Sequence, residues 1–270
     1  MGKRCFLFLL PAFAAAGLCF CAQAAADPTG FTNKLGMEFV YIKPGTFMMG
    51  SPADEPARNQ SEKRHRVTID EAFYMQATEV TIGQWQAVMG KKWLFSRKGP
   101  KDRPVTGVSW HDCRDFVQKL SKRLEGTYRL PTEAQWEYAC RAGTQTAYAR
   151  GDEITCSDAM FANSPVKSSR CVETVKNMGL EPGAPAPVKS YSPNAWGIHD
   201  MHGNVWEWCR NCFGTYNRPG ENGNFSCSRR VRRGGSWYSN AHNLRSANRA
   251  WAHPASKFKT TGFRVIKEAP

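Results

Sequence analysis

From Gly143 onward no stretch keeps a helical or strand period for more than a few positions; Gly, Pro, Ser and Asn separate short aromatic pieces until the strand-like Gly262 to Ile266. A chain written this way cannot fill its core with stacked helices. Nine tryptophans, 23 glycines and 16 prolines in 270 residues instead describe loops anchored by large aromatic side chains, which excludes a helical bundle or coiled coil. With 41% hydrophobic and 22% charged residues the chain is neither fibrous nor disordered. No fixed-period repeat and no linker divide it, so one domain is expected over residues 30–268.

The N-terminal half carries the regular elements. Gly36 to Gly50 alternates apolar residues around Pro44-Gly45 and predicts a hairpin. Ser51 to Arg66 is polar and turn-rich and reads as an exposed loop before a strand over Val67 to Tyr74. Thr81 caps a short helix that runs through Met89 to Gly90. Ser109 opens a longer one, with Trp110, Cys113, Phe116, Val117, Leu120 and Leu124 on one face until Gly126. Thr132, with Gln135 completing a capping box, starts a third that stops at Gly143.

Lys3 and Arg4 precede an uncharged run from Cys5 to Cys21 and the small-residue stretch Ala22 to Ala26, the layout of a secretory signal peptide over residues 1–26. The run is shorter than the ~20 residues that span a bilayer, and no transmembrane segment is expected after cleavage. Cleavage lowers the formal charge from +14 to +12 and leaves seven cysteines, an odd number, in a secreted or periplasmic space where disulfides form. The pairing is not readable from sequence. Cys209 and Cys212 form a C-x-x-C that suits two separately paired structural cysteines, a redox pair or half a zinc site. The basic run Arg229 to Arg233 reads as a solvated face or as a patch drawn to an anionic envelope, since export argues against nucleic acid.

Four segments together resemble the formylglycine-generating enzyme, or sulfatase-modifying factor, family. They are GMEFVYIKPGTFMMGS at Gly36 to Ser51, RLPTEAQWEYACRAG at Arg129 to Gly143, NAWGIHDMHGNVWEW at Asn194 to Trp208, and RGGSW, RSANR and GFRV between Arg233 and Val265. The resemblance implies a compact α+β fold with little regular secondary structure, related to C-type-lectin-like domains.

It also implies structural calcium. The family's site in DMHGNVWE maps onto the side chains of Asp200 and Glu207 and the carbonyls of Gly203 and Val205, oxygen donors of the kind a hard cation takes. The alternative is that the two acids cap the turn without metal. A second family site begins at Ala162-Asn163-Ser164, but no later acid matches its remaining ligand.

At the catalytic positions the sequence departs from the family. Its aerobic enzymes hold copper(I) with two cysteines after G-G-S, because soft thiolates suit that ion. Ser239 and Leu244 stand at those positions here, so no copper is expected, while Ser236 matches an active-site serine. Arg245 and Arg249, with Trp237, are the candidates for holding a peptide carboxylate. The six histidines show no metal-ligand spacing, and no H-E-x-x-H, G-x-S-x-G or P-loop is present.

Two roles follow. One is an oxidoreductase acting on a peptide or protein of the cell envelope. The other is a non-catalytic, calcium-stabilised binding module that has lost the copper site.

Overall fold

The computed structural model describes residues 29–90, 99–214, 216 and 227–269. The leader over residues 1–26 lies outside them. Eleven short strands and four helices are present among the described residues: β1 (Gly30–Thr32), β2 (Glu38–Ile42), β3 (Gly45–Met49), β4 (His65–Ile69), β5 (Phe73–Gln76), α1 (Ile82–Met89), α2 (Trp110–Arg123), β6 (Tyr128–Arg129), α3 (Glu133–Arg141), α4 (Ser169–Asn177), β7 (Trp206–Cys212), β8 (Arg230–Arg233), β9 (Ala250–Ala252), β10 (Thr261–Gly262) and β11 (Ile266–Glu268). The class is mixed α+β, and it is rich in loops.

Three helices begin where the capping chemistry placed them. Thr81, Ser109 and Thr132 each accept a bond from the third helical N–H, and Gln84, Asp112 and Gln135 return it to the cap. Each box satisfies two N–H groups that a helix start otherwise leaves to water. The fourth helix, α4, was invisible to periodicity. It is one of the shorter helices, capped by Ser168, and Cys171, Val172 and Val175 are its buried residues.

The expected hairpin does not form. β2 pairs with β1 and β5, whereas β3 pairs with β4, so Pro44-Gly45 sends the chain from one sheet into another. Alternation fixed which faces are apolar but left the partner open. The stretch read as one strand over Val67 to Tyr74 is likewise two, β4 and β5, parted by Asp70 to Ala72. At the C-terminus, Gly262 to Ile266 is split between β10 and β11, with Phe263 and Val265 fully buried between them.

The larger sheet has the order β1-β2-β5-β11-β6 and is antiparallel throughout. A second sheet, β10-β7-β8-β9, carries the segments from Trp206 to Gly262, with β10 parallel to β7. One core cluster lies between α1, α2 and the larger sheet and stacks Trp85 on Phe116. Another surrounds Trp136 and Cys140 of α3. Trp85, Trp110, Trp136 and Trp208 are among the largest fully buried side chains, which is the anchoring role the composition suggested.

Cys156 bonds Cys171 and Cys212 bonds Cys227. The C-x-x-C is therefore not a redox pair: Cys212 is tied to Cys227, while Cys209 is buried and outside both disulfides. Burial pushes the Cys140 thiol up to about 12 and Cys209 well above its usual value, so neither is a thiolate at neutral pH.

Glu137 of α3 is fully buried and accepts bonds from Gly50 N, Arg141 Nε and Arg233 Nη2, joining the end of β3, α3 and β8. Replacing Glu137 by Gln leaves two buried guanidinium groups short of a counter-charge. The expected loss is about 3–5 kcal/mol, read from urea unfolding of the purified protein; a change below about 1 kcal/mol would contradict that role.

Candidate functional site

The motifs that sequence reasoning singled out meet where four loops cross, around residues 160–164, 200–207, 234–239 and 241–245. Backbone hydrogen bonds hold the crossing. Trp237 N donates to Asn204 O and Asn163 N donates to Trp237 O, both at 2.8 Å, while Ala162 N donates to Ser239 O at 2.9 Å. Two glycines permit the approach. A Cβ on Gly203, at φ 93°, would lie 2.3 Å from Met160 O, and one on Gly235, at φ 77°, would lie 2.7 Å from Leu244 Cδ1. Asp200 and Asn204 also adopt left-handed backbone at φ 60° and 54°, so the D-M-H-G-N turn keeps an uncommon conformation at three of five residues.

Ser236 is buried, and its Oγ lies 3.0 Å from Ser239 Oγ, which also accepts a bond from Ser236 N. Leu244 is fully buried in an apolar cluster with Tyr148, Phe161 and Ala162. The loop after G-G-S is thus closed by a hydroxyl pair and an aliphatic plug. Trp237 is half-buried against Met160, Val175 and Tyr191, and Tyr238 beside it is exposed under Lys167.

Next to this crossing, Asp200, Glu207 and Glu79 surround Arg264. Glu207 accepts Arg264 Nη2 on Oε1 at 2.7 Å, and on Oε2 it accepts Arg264 Nε and Trp136 Nε1, each at 2.8 Å. Asp200 Oδ2 accepts Lys189 N at 2.9 Å. Glu79 is completely buried and neither of its carboxylate oxygens has a hydrogen-bond partner among the described residues. Burial raises its pKa well above the carboxylate range, with Asp200 and Glu207 adding to the rise against the pull of Arg264. Burial also pushes Asp200 up to about 6.

Sequence reasoning missed Glu79. The available signal was weak: an acid between Ala77 and Val80 just before the Thr81 helix cap. Tyr191 OH, buried and likewise without a partner, belongs to the same neighbourhood. A cavity of about 280 Å³ opens beside Asp200, lined by Tyr148, Arg150, Asp158, Tyr191 and His202 among others.

The oxygen donors fit a hard cation only in part. Two orphaned oxygens on Glu79 and the Asp200 carboxyl suit one, whereas Glu207 already faces the fixed positive charge of Arg264. Among the described residues no group of three or more His, Cys, Asp and Glu side chains is arranged to hold a metal ion. In the segment of the second expected site, Asn163 Nδ2 donates to Glu181 O and Ala184 O, which fixes the amide and leaves its buried Oδ1 without a partner. Ser164 serves as a turn residue there, its carbonyl accepting Lys167 N and Ser168 N.

Arg245 and Arg249, the candidates for holding a peptide carboxylate, are both engaged by internal acids, although each also borders a cavity. Arg245 Nη1 binds Glu55 and Glu62, and its Nη2 binds Glu62 and Ala57 O. Arg249 makes a two-bond pair with Glu133 at 2.6 and 2.8 Å and stacks 3.9 Å from the Tyr216 ring. Their fork donors go to internal carboxylates and backbone carbonyls. The loop over Ser51 to Arg66 is exposed along most of its length, as expected, and turns Ser51, Glu55 and Glu62 inward to meet Arg245 and its neighbours. The reading of the basic run as a solvated face is corrected. Arg230 and Arg233 are buried, Arg232 lies over the rings of Trp206, Trp208 and Phe258, and Arg229 alone of the four arginines is exposed.

The fold and this crossing define a protein of the sulfatase-modifying factor type. The chain belongs to that family: the profile of the sulfatase-modifying factor enzyme 1-like domain matches residues 24–269. It is 37% identical over 200 residues to the formylglycine-generating enzyme of Streptomyces coelicolor, covering 68% of this chain and 61% of that protein. It is 30% identical over 260 residues to the serine/threonine-protein kinase pkn1 of Chlamydia caviae, covering 85% of this chain and 38% of the relative. This chain therefore spans less than two thirds of the length of both. Among solved structures, PvdO from Pseudomonas aeruginosa superposes with a TM-score of 0.75 at 27% identity, over 91% of this chain and all of that one.

The Arg245 assignment has a pH signature. Burial raises the Glu62 carboxyl, but the bonds and charge of Arg245, with bonds from Ser51 and Asn59, outweigh it and hold the pKa below its ordinary 4.5. Stability from this contact is full above pH 4.5 and is lost as pH falls through the folded value. In Arg245→Met both glutamates stay buried without their cation. Chemical denaturation should then show a loss of about 3–5 kcal/mol at pH 7. The variant should also regain stability as pH drops toward 5, because a raised carboxyl favours the protonated folded state. An Arg245→Met protein as stable as the native one at pH 7 would mean that the side chain is free to serve a ligand.

Proposed function

We propose that the protein is an exported member of the family that binds a peptide or protein segment of the cell envelope, and that it is not a copper-dependent cysteine oxidase. The observation that carries this reading is the loop after Gly235. Ser239 hydrogen-bonds Ser236, and Leu244 fills the core where the family's enzymes place copper thiolates. A hydroxyl and an isobutyl group are not ligands for copper(I), and burial keeps the Cys140 and Cys209 thiols protonated. Export is supported by the two disulfides and by the leader-like N-terminus. Among the described residues no helix is long and apolar enough to cross a membrane.

Copper(I) titration under anaerobic conditions, followed by oxygen uptake with a cysteine-containing peptide, tests the proposal. No stoichiometric copper binding and no copper-dependent uptake are expected. Tight one-to-one copper binding with turnover that Ser236→Ala removes would instead establish the oxidoreductase role.

Calcium is the second part of the proposal. Asp200, with Glu79 as the additional acid and the Gly203 and Val205 carbonyls nearby in the turn, would hold it, and Glu207 serves the cluster through Arg264. When bound, the ion would supply the positive charge that three carboxylates around one arginine lack. Chelation with EGTA should lower the Tm, and added calcium should restore it by mass action on the folded state. Glu79→Gln should remove that calcium response. A Tm indifferent to EGTA, with no calcium in the purified protein, would reject the site.

A further inference from the structure

Four arginines crowd one corner of the fold, away from the loop crossing. Trp110 and Arg114 come from the first turns of α2, Arg129 from β6, and Arg210 and Arg230 from β7 and β8. Arg230 lies 3.8 Å over the Trp110 ring and Arg114 lies 5.9 Å from it. A cavity of about 260 Å³ opens here, with Arg114, Arg129 and Arg210 on its wall beside Trp110, Val117 and Leu130.

The acids nearby do not balance this charge. Glu268 is taken by Arg129 Nε at 2.7 Å, and Arg129 Nη1 is further committed to Gln135 Oε1. Asp115 reaches Arg114 only at 3.4 Å on the surface. The Nε of Arg114 is buried with no partner, and among the described residues no atom accepts a bond from the Arg210 guanidinium. Burial lowers the Arg210 pKa and Arg129 lowers it further; burial likewise brings Arg230 to about 10, with Arg114 and Arg210 adding to the shift. The unpartnered Arg114 Nε and the Arg210 guanidinium, both on the wall of one cavity, form a receptor for a planar anion, because a carboxylate can accept two parallel N–H bonds from one fork.

We propose that this cavity binds a carboxylate carried on an apolar body, with Arg210 and Arg114 as donors and Trp110, Val117 and Leu130 as the apolar wall. Its size suits a small ligand or the last residue of a chain, so a free organic acid and a peptide C-terminus share the required chemistry.

Calorimetric titration of the full-length mature protein distinguishes these sources. The probes are benzoate against benzamide, and a tetrapeptide ending in phenylalanine with a free against an amidated C-terminus. The carboxylate form of at least one pair should bind roughly tenfold or more tightly than its amide, and Arg210→Gln should cost about tenfold or more without lowering the Tm. Preference confined to benzoate assigns a free acid; preference for the free peptide terminus assigns a chain end. If Arg210→Gln is less stable, Arg114→Gln, at a position over a third exposed, carries the same comparison. Equal binding of acid and amide, no binding of any probe, or native affinity in the arginine variant would overturn the site.

Discussion

The buried pair of Arg233 and Glu137 is the contact on which the remaining architecture rests. Arg233 is fully buried and donates to Glu137, to Ala247 O and Asn248 O, and to Ser246 O. Glu137 in turn takes Gly50 N and Arg141. One ion pair therefore fixes the ends of β3, α3, β8 and the segment that follows the 3-10 turn at Ala241 to Leu244. In a domain with so little regular structure, backbone carbonyls in loops need donors, and guanidinium groups supply several from one point. Desolvating both charges is costly, but the many bonds offset this, and the geometry leaves few alternative arrangements. Arg245 with Glu55 and Glu62, Arg249 with Glu133, and Arg264 with Glu207 repeat the device.

That device explains what sequence made legible and what it hid. Helix starts at Thr81, Ser109 and Thr132 were readable because capping is a local transaction between residues three apart. The role of the tryptophans as anchors was readable from composition. The partner of β2 was not, because alternation sets a face and not a neighbour. Nor was the fate of the arginines. Arg245 and Arg249, four apart beside a glycine-rich loop, have the pattern of a ligand clamp, yet their carboxylates are more than a hundred residues away in sequence at Glu62 and Glu133. No local pattern records a contact of that length. Glu79 escaped for the same reason: only the fold places it beside Asp200 and Glu207.

The candidate site was half legible. Asp200, Gly203, Asn163, Ser236, Trp237, Ser239 and Leu244 were singled out from separate motifs, and the fold brings their loops into one crossing. The resemblance supplied that list, and the geometry altered the emphasis within it. Glu207 faces an arginine, so the acids of the cluster without a cationic hydrogen-bond partner are Glu79 and Asp200. Arg245 and Arg249 are engaged by internal acids, and Tyr238 is an exposed aromatic side chain beside the crossing.

Trp237 holds the crossing through its main chain: its N–H and carbonyl join Asn204 to Asn163, while its side chain packs on Met160 and Tyr191. Tyr238, the next residue, reaches solvent and takes no part in these backbone bonds. A surface built this way can be rewritten at Tyr238 without dismantling the turn beneath it. The chemistry this surface presents to solvent and the integrity of the turn are then separable, so the one can change at little cost to the other.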